Sequence, residues 1–191
     1  MMRKPRQLPL FDRPLPPASP PERRRSHWRP VLLMVTGLSA LVVTTAFPPT
    51  PRLIWNASAS APIGLYAVLP KAPLRRGDMA FAFAPPAARE LAARRHYLPR
   101  NVPLLKRVVA MEGDQVCARD LGVRINGRPA AVRRETDRLG RALPGWQGCV
   151  VLGRDELFLL MTDSPDSFDG RYFGVSKRQQ IVGRATALWL P

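Results

Sequence analysis

Hydrophobic positions along the chain fall into two unlike regimes. From 31 to 47 the run VLLMVTGLSALVVTTAF carries no charged residue for 17 positions and then meets Pro48-Pro49. That length is at the short end of what crosses a bilayer as a helix, and the double proline ends it. Beyond it the apolar stretches are short and bounded by turn residues. IGLYAVL (63–69) is apolar and β-prone. LRRGDMAFAFA (74–84) alternates, with Met79, Phe81 and Phe83 on one face and Ala80, Ala82 and Ala84 on the other, which predicts a strand. AARELAARRHYL (87–98), between Pro85-Pro86 and Pro99, reads as helix or loop. PLLKRVVAM (103–111) predicts a strand. GDQVCARDLGVRINGRPA (113–130) predicts a hairpin turning at Asn126-Gly127, a strong short-range turn signal. VVLGRDELFLLM (150–161) predicts a second hairpin turning at Gly153, and QQIVGRATALWL (179–190) a final strand. With no internal repeat and no long helix beyond the first, the part after Pro48 is expected to be mainly β.

Charge sharpens this division. The 191 residues hold 30 Lys+Arg against 14 Asp+Glu, a net charge of +16. Eight basic residues and eight prolines lie in 1–30 against only Asp12 and Glu22. A basic, proline-rich segment with few apolar residues cannot form a core and reads as a disordered tail. Set before an uncharged run, it predicts a retained anchor, with the tail cytoplasmic and the remainder outside. The expected organisation is a tail over 1–30, a transmembrane helix over 31–47 and a periplasmic domain over 48–191, in a single-pass protein of a bacterial inner membrane. Two other readings of the run are a buried core helix and a cleaved secretory signal. The small residues of ASASA (57–61) suit a cleavage site, but they lie far beyond the run and past two prolines. Much of the basic excess is then topological and calls for lipid rather than nucleic acid. Aromatic residues interleaved with the basic tail, as nucleic-acid binding would favour, are missing apart from Trp28.

Candidate chemistry is sparse. Cys117 and Cys149 both fall in the part placed outside, where a disulfide would persist and would close a loop worth roughly 3–4 kcal/mol; two buried free thiols are the alternative. No CxxC or His/Cys/carboxylate cluster suggests a metal, and no cofactor is expected. His96 alone could serve as the base of a Ser-His-Asp triad, and it sits in the basic stretch RRHYL. Lysine is more informative. Only Lys4, Lys71, Lys106 and Lys177 interrupt a chain that otherwise uses arginine, which cannot lose its proton. Lys106 alone lies inside an apolar strand, sharing a face with Leu104 and Val108. If that face is buried, desolvation costing about 4 kcal/mol would bring the amine into the range of a general base. If it is an edge face, Lys106 reaches water instead. A neutral lysine would need a hydroxyl to activate, and NASASAPIGLY (56–66) offers Ser58 and Ser60, which could equally be a linker.

Three segments in order, SASAPIGLY (58–66), LLKRVVAMEGD (104–114) and DSFDGRYFG (166–174), lie behind the apolar run. Together they resemble the signal peptidase I family of membrane-anchored Ser-Lys proteases, peptidase S26, and the form NxSxSxPxGLY is similar to its conjugative-transfer, TraF-type branch. The resemblance covers most of the chain after Asn56. It implies a signal-peptidase-like β-barrel or sheet catalytic domain, with Ser60 as nucleophile and Lys106 as general base. It also implies that Ser58 assists the oxyanion hole, that Ser167 orients the lysine, and that Asp169 and Arg171 form a supporting pair. Two departures are visible. Ala61 is followed at once by Pro62, one residue sooner than is usual, and the Gly-Asp-Asn that leads into the last box reads Met161-Thr162-Asp163. The implied partners are the bilayer and a peptide or precursor-protein substrate, a conjugative pilin in the TraF-type case. A general leader peptidase that removes signal peptides, and a non-enzymatic scaffold of a transfer apparatus, are the alternatives.

Overall fold

The computed structural model describes residues 28–46 and 52–191. The expected tail lies outside the described residues except for its last three positions. The chain divides into two units, Met1–Pro48 and Pro49–Pro191. In the first, helix α1 spans Trp28–Ala46, 19 residues, and is long and apolar enough to cross a membrane. It begins three residues before the predicted start. Trp28, Arg29 and Pro30 fill the first turn, where backbone N–H groups have no helical partner and proline is tolerated. Thr44 and Thr45 return their hydroxyls to carbonyls three and four residues earlier, so their polarity stays within the helix.

The second unit is mainly β. Its elements are β1 (Leu53–Asn56), β2 (Gly64–Pro70), β3 (Met79–Ala82), α2 (Pro86–Arg94), β4 (Leu104–Ala110), β5 (Gln115–Arg119), β6 (Gly122–Ile125), β7 (Arg128–Val132), β8 (Gly148–Val151), β9 (Glu156–Leu160), α3 (Gly170–Phe173), β10 (Ser176–Lys177) and β11 (Ile181–Trp189). A seven-stranded antiparallel sheet runs β1-β2-β11-β3-β4-β9-β10, and a four-stranded one runs β7-β6-β5-β8. The last long strand therefore inserts between β2 and β3. Register shifts in β11 and β4 mark bulges, which bend strands and help curl the large sheet into a half-barrel.

The predicted alternation of 79–84 is present, but both faces of β3 are covered. Met79 and Phe81 pack with Tyr66, Val68, Leu105 and Ala185, whereas Ala80 and Ala82 pack with Val108, Leu157 and Leu159. The hairpin at Asn126-Gly127 forms between β6 and β7, with both turn residues at positive φ (50° and 77°), as a two-residue mirror-image turn requires. The second predicted hairpin does not form. β8 pairs with β5 in the small sheet, and β9 pairs with β4 and β10 in the large one. The segment at Gly153 thus passes the chain from one sheet to the other. Residues of both sheets, among them Val116 and Val123 with Phe158 and Leu160, share a core there.

Candidate active site

The two outermost strands on one side of the large sheet, β1 and β2, are joined by the loop 57–63, and this loop carries both serines. The strands pair up to Asn56 opposite Gly64, which fixes the loop ends. Gly64 is required by close approach, since a Cβ there would sit 2.3 Å from the Trp189 carbonyl oxygen. Within the loop the Ala61 N–H donates to the Ser58 carbonyl at 3.3 Å, so residues 58–61 form a turn with Ser60 third. The Asn56 side chain spans the base of this loop. Its Nδ2 lies 3.0, 3.1 and 2.9 Å from the carbonyl oxygens of Ser58, Ala61 and Pro62, and its Oδ1 accepts the Ser58 N–H at 3.2 Å. The buried Tyr66 hydroxyl also donates to the Pro62 carbonyl, at 2.8 Å. Burial holds that phenol above its usual pKa, outweighing the opposing charge of Arg107, so it remains a donor.

Lys106 arrives from the middle of β4, opposite Ala80 on β3. It is 1% exposed, and its Nζ lies 2.8 Å from Ser60 Oγ, 46 positions away in sequence. Burial brings its pKa down to about 8. The Asp169 charge pulls it up and Arg171 pulls it down, both more weakly than desolvation. The buried-face alternative for 104–108 is therefore the observed one. Ser58 Oγ accepts the Ser60 N–H at 3.3 Å and lies 3.0 Å from Ser60 Oγ. Lys106, Ser60 and Ser58 thus form one continuous set of contacts.

A peptidase family profile described as signal peptidase, peptidase S26, matches residues 25–190. The chain belongs to the signal peptidase S26 family. It is similar to two plasmid transfer proteins TraF from Escherichia coli. One is 37% identical over 138 residues, covering 66% of this chain and 77% of the relative; the other is 33% identical over 170 residues, covering 82% and 94%. A solved signal peptidase I from Enterococcus faecalis V583 aligns at 22% identity with a TM-score of 0.34, over 62% of this chain and all of that one. S26 membership supports a peptidase-like function and a peptide or protein substrate. The apolar helix and the likeness to TraF fit a membrane-anchored protein.

Two further residues that the resemblance implies, Asp169 and Arg171, lie near enough to Lys106 for their charges to act on its amine. Asp169 and Arg171 are both buried and joined at 2.8 Å from Nε to Oδ1. Asp169 also accepts the Met161 N–H, and Arg171 donates to the carbonyls of Met161, Ser164 and Pro165. The pair thereby ties 161–165 to α3. Ser167 is fully buried, but its hydroxyl has no hydrogen-bond partner among the described residues, so the expected bond to Lys106 is not made in this structure. The altered approach at 161–163 ends three residues before the adjacent Asp166-Ser167 step, with Ser164-Pro165 between. Cys117 and Cys149 form a disulfide between paired positions of β5 and β8, in the small sheet. His96 is exposed after the end of α2 and joins no candidate site. Among the described residues no three His, Cys, Asp or Glu side chains gather as metal ligands. Sequence reasoning assigned nothing to Asn56 or Tyr66, although both are fixed letters of the NxSxSxPxGLY form.

Proposed function

We propose that this protein is a membrane-anchored serine endopeptidase that uses a Ser60-Lys106 dyad to process an exported precursor, a conjugative pilin. The observation that carries the reading is a desolvated lysine amine 2.8 Å from a serine hydroxyl in a loop between two strands. Neutral Lys106 takes the Ser60 hydroxyl proton as Oγ attacks the scissile carbonyl carbon. The resulting oxyanion is held by the Ser60 N–H and the Ser58 hydroxyl, which give up their mutual contact for it. The Lys106 ammonium then protonates the leaving amine, and an acyl-enzyme on Ser60 remains. Water attacks the ester, Lys106 takes its proton, and the acid product leaves with Ser60 restored. An amine of the substrate in place of water would yield a new amide and a cyclised product.

Placement supports the substrate class. β1 ends the large sheet, so an extended peptide can add beside it, next to the nucleophile. Trp55 and Trp189 stack at 5.6 Å and, with Leu53, Ile63, Leu188 and Leu190, leave an exposed apolar edge at the same strands. Such an edge suits contact with the lipid bilayer. In this reading the basic tail is cytoplasmic and the β unit periplasmic, and Ser60 follows the apolar run by about a dozen residues in sequence. The likeness to plasmid transfer proteins supports the reading of a conjugative pilin precursor over preproteins in general.

The test is co-expression of the pilin precursor with wild type, Ser60→Ala and Lys106→Ala, with precursor mass followed by mass spectrometry. Shortening or cyclisation by wild type alone is expected. Processing that survives Lys106→Ala would remove the dyad. Processing of a panel of unrelated signal-bearing precursors would point to a general leader peptidase, and full function with both variants to a scaffold.

A further inference from the structure

The side chain of Asn56 makes more hydrogen bonds to the nucleophile loop than any other described side chain, and nothing in the dyad chemistry uses it. Its amide has two hydrogens and three carbonyl oxygens around it, those of Ser58, Ala61 and Pro62, so one N–H is shared. Its orientation is fixed by these partners: turned over, the side-chain oxygen would face three carbonyl oxygens and the Ser58 N–H would face an NH2 group. Ser58 is therefore gripped at both its N–H and its carbonyl. The far side of the turn is gripped at Ala61 and Pro62. Ser60 stands between these two holds. The loop is also held by Ala61 N–H to the Ser58 carbonyl, by the Tyr66 hydroxyl to the Pro62 carbonyl, and by the contacts of Ser60 with Ser58 and Lys106.

We propose that Asn56 is a positioning residue that sets the nucleophile loop so that Ser60 Oγ faces Lys106 and the Ser60 N–H faces the developing oxyanion. The inference rests on the assignment of Ser60 as nucleophile. The physical need is plain. A seven-residue connection anchored only at its ends samples many conformations, and misplacement of a reacting atom by about 1 Å can cost on the order of a hundredfold in rate. Asn56 is the last residue of β1, opposite Gly64, so its side chain is anchored to the sheet and transmits that rigidity to the turn. The loop carries one residue fewer between the serine and the proline than the family pattern. Its carbonyls turn inward onto Asn56 instead of outward to solvent.

Asn56→Asp separates this role from simple packing. It preserves volume and the acceptor for the Ser58 N–H, but it places an anionic oxygen against three carbonyls. Asn56→Ala removes all four contacts. Full-length wild type, Asn56→Asp, Asn56→Ala and Ser60→Ala would be purified in detergent. Each would be assayed on an internally quenched peptide with alanine at the first and third positions before the cut, with thermal unfolding measured in parallel. For Asn56→Asp, kcat per folded molecule is expected to fall by about tenfold to a hundredfold with KM within about twofold and little change in Tm, because contact with the substrate is not what is lost. A crystal structure of the variant is expected to show Ser60 Oγ beyond hydrogen-bond reach of Lys106 Nζ. A kcat within about twofold of wild type, or an unmoved Ser60 in the variant crystal, overturns the inference while leaving the dyad intact. Peptide cleavage undiminished in Ser60→Ala sinks the dyad instead, and the crystal comparison then still decides whether Asn56 sets the loop. Should Asn56→Ala not fold, Asn56→Asp alone carries the test.

Discussion

Lys106 shows how much a single side chain can be asked to do. Its stem lies among apolar strands and its amine meets Ser60 Oγ, so the charged form loses its hydration and the neutral form is favoured. Under the proposed mechanism only the neutral amine is active. The rate kcat/KM should therefore rise tenfold per pH unit below about 8 and level off above it, as a pH profile on a peptide substrate would show. A profile flat from pH 6 to 9 would exclude this amine as the base. The same ionisation affects folding. Below pH 8 the native and unfolded states both hold the proton, and the native state bears a cost on the order of 3 kcal/mol. Between about 8 and 10.5 the native state has released it and the unfolded state has not, so stability rises with pH. Lys106→Met should exceed wild type in urea midpoint at pH 7, and the gap should close toward pH 10.5.

Among the elements, the short helix α3 and the segment before it are organised by one buried ion pair. Asp169 caps α3 by accepting the Arg171 N–H, and the Arg171 guanidinium collects three backbone carbonyls from 161–165. Arg171→Ala would leave the buried Asp169 carboxylate without its counter-charge and take the guanidinium donors away from three backbone carbonyls. A loss of about 3–5 kcal/mol is expected in denaturant unfolding. Removal of the Arg171 charge near Lys106 should also raise the lysine pKa, moving the activity profile to higher pH in whatever protein folds. Strand existence at this scale was legible, because β3, β4 and β11 each show apolar periodicity and turn residues at their ends. Strand pairing was not. Residues 150–161 look like a hairpin by local pattern, yet β8 and β9 enter different sheets, since each finds a larger apolar partner elsewhere than in the other.

For the whole molecule, the disulfide and the elements of the candidate site belong to different sheets. Cys117–Cys149 joins β5 to β8, the edge strand of the small sheet, while Ser60 and Lys106 come from the large one. Replacing both cysteines with serine should lower unfolding stability by roughly 3–4 kcal/mol, the chain-entropy value for a loop of this length. It should leave peptide turnover at 25 °C unchanged. A loss of turnover in fully folded protein would show that the small sheet shapes the site. The apolar helix and the pair of cysteines were each readable, because an uncharged run and a cysteine count are properties of composition and not of contacts.

The sequence by itself determined what each segment is: an uncharged helix of bilayer length, a set of short strands, a serine pair before a proline, and a lone lysine in an apolar run. These follow from local periodicity and from the chemistry of single residue types. Tertiary structure alone decided that β11 would pass between β2 and β3, that the lysine face would be the dry one, and that Asn56 would close the serine loop. Each of those depends on contacts between positions set by register and burial, and neither is encoded in any short window of the chain.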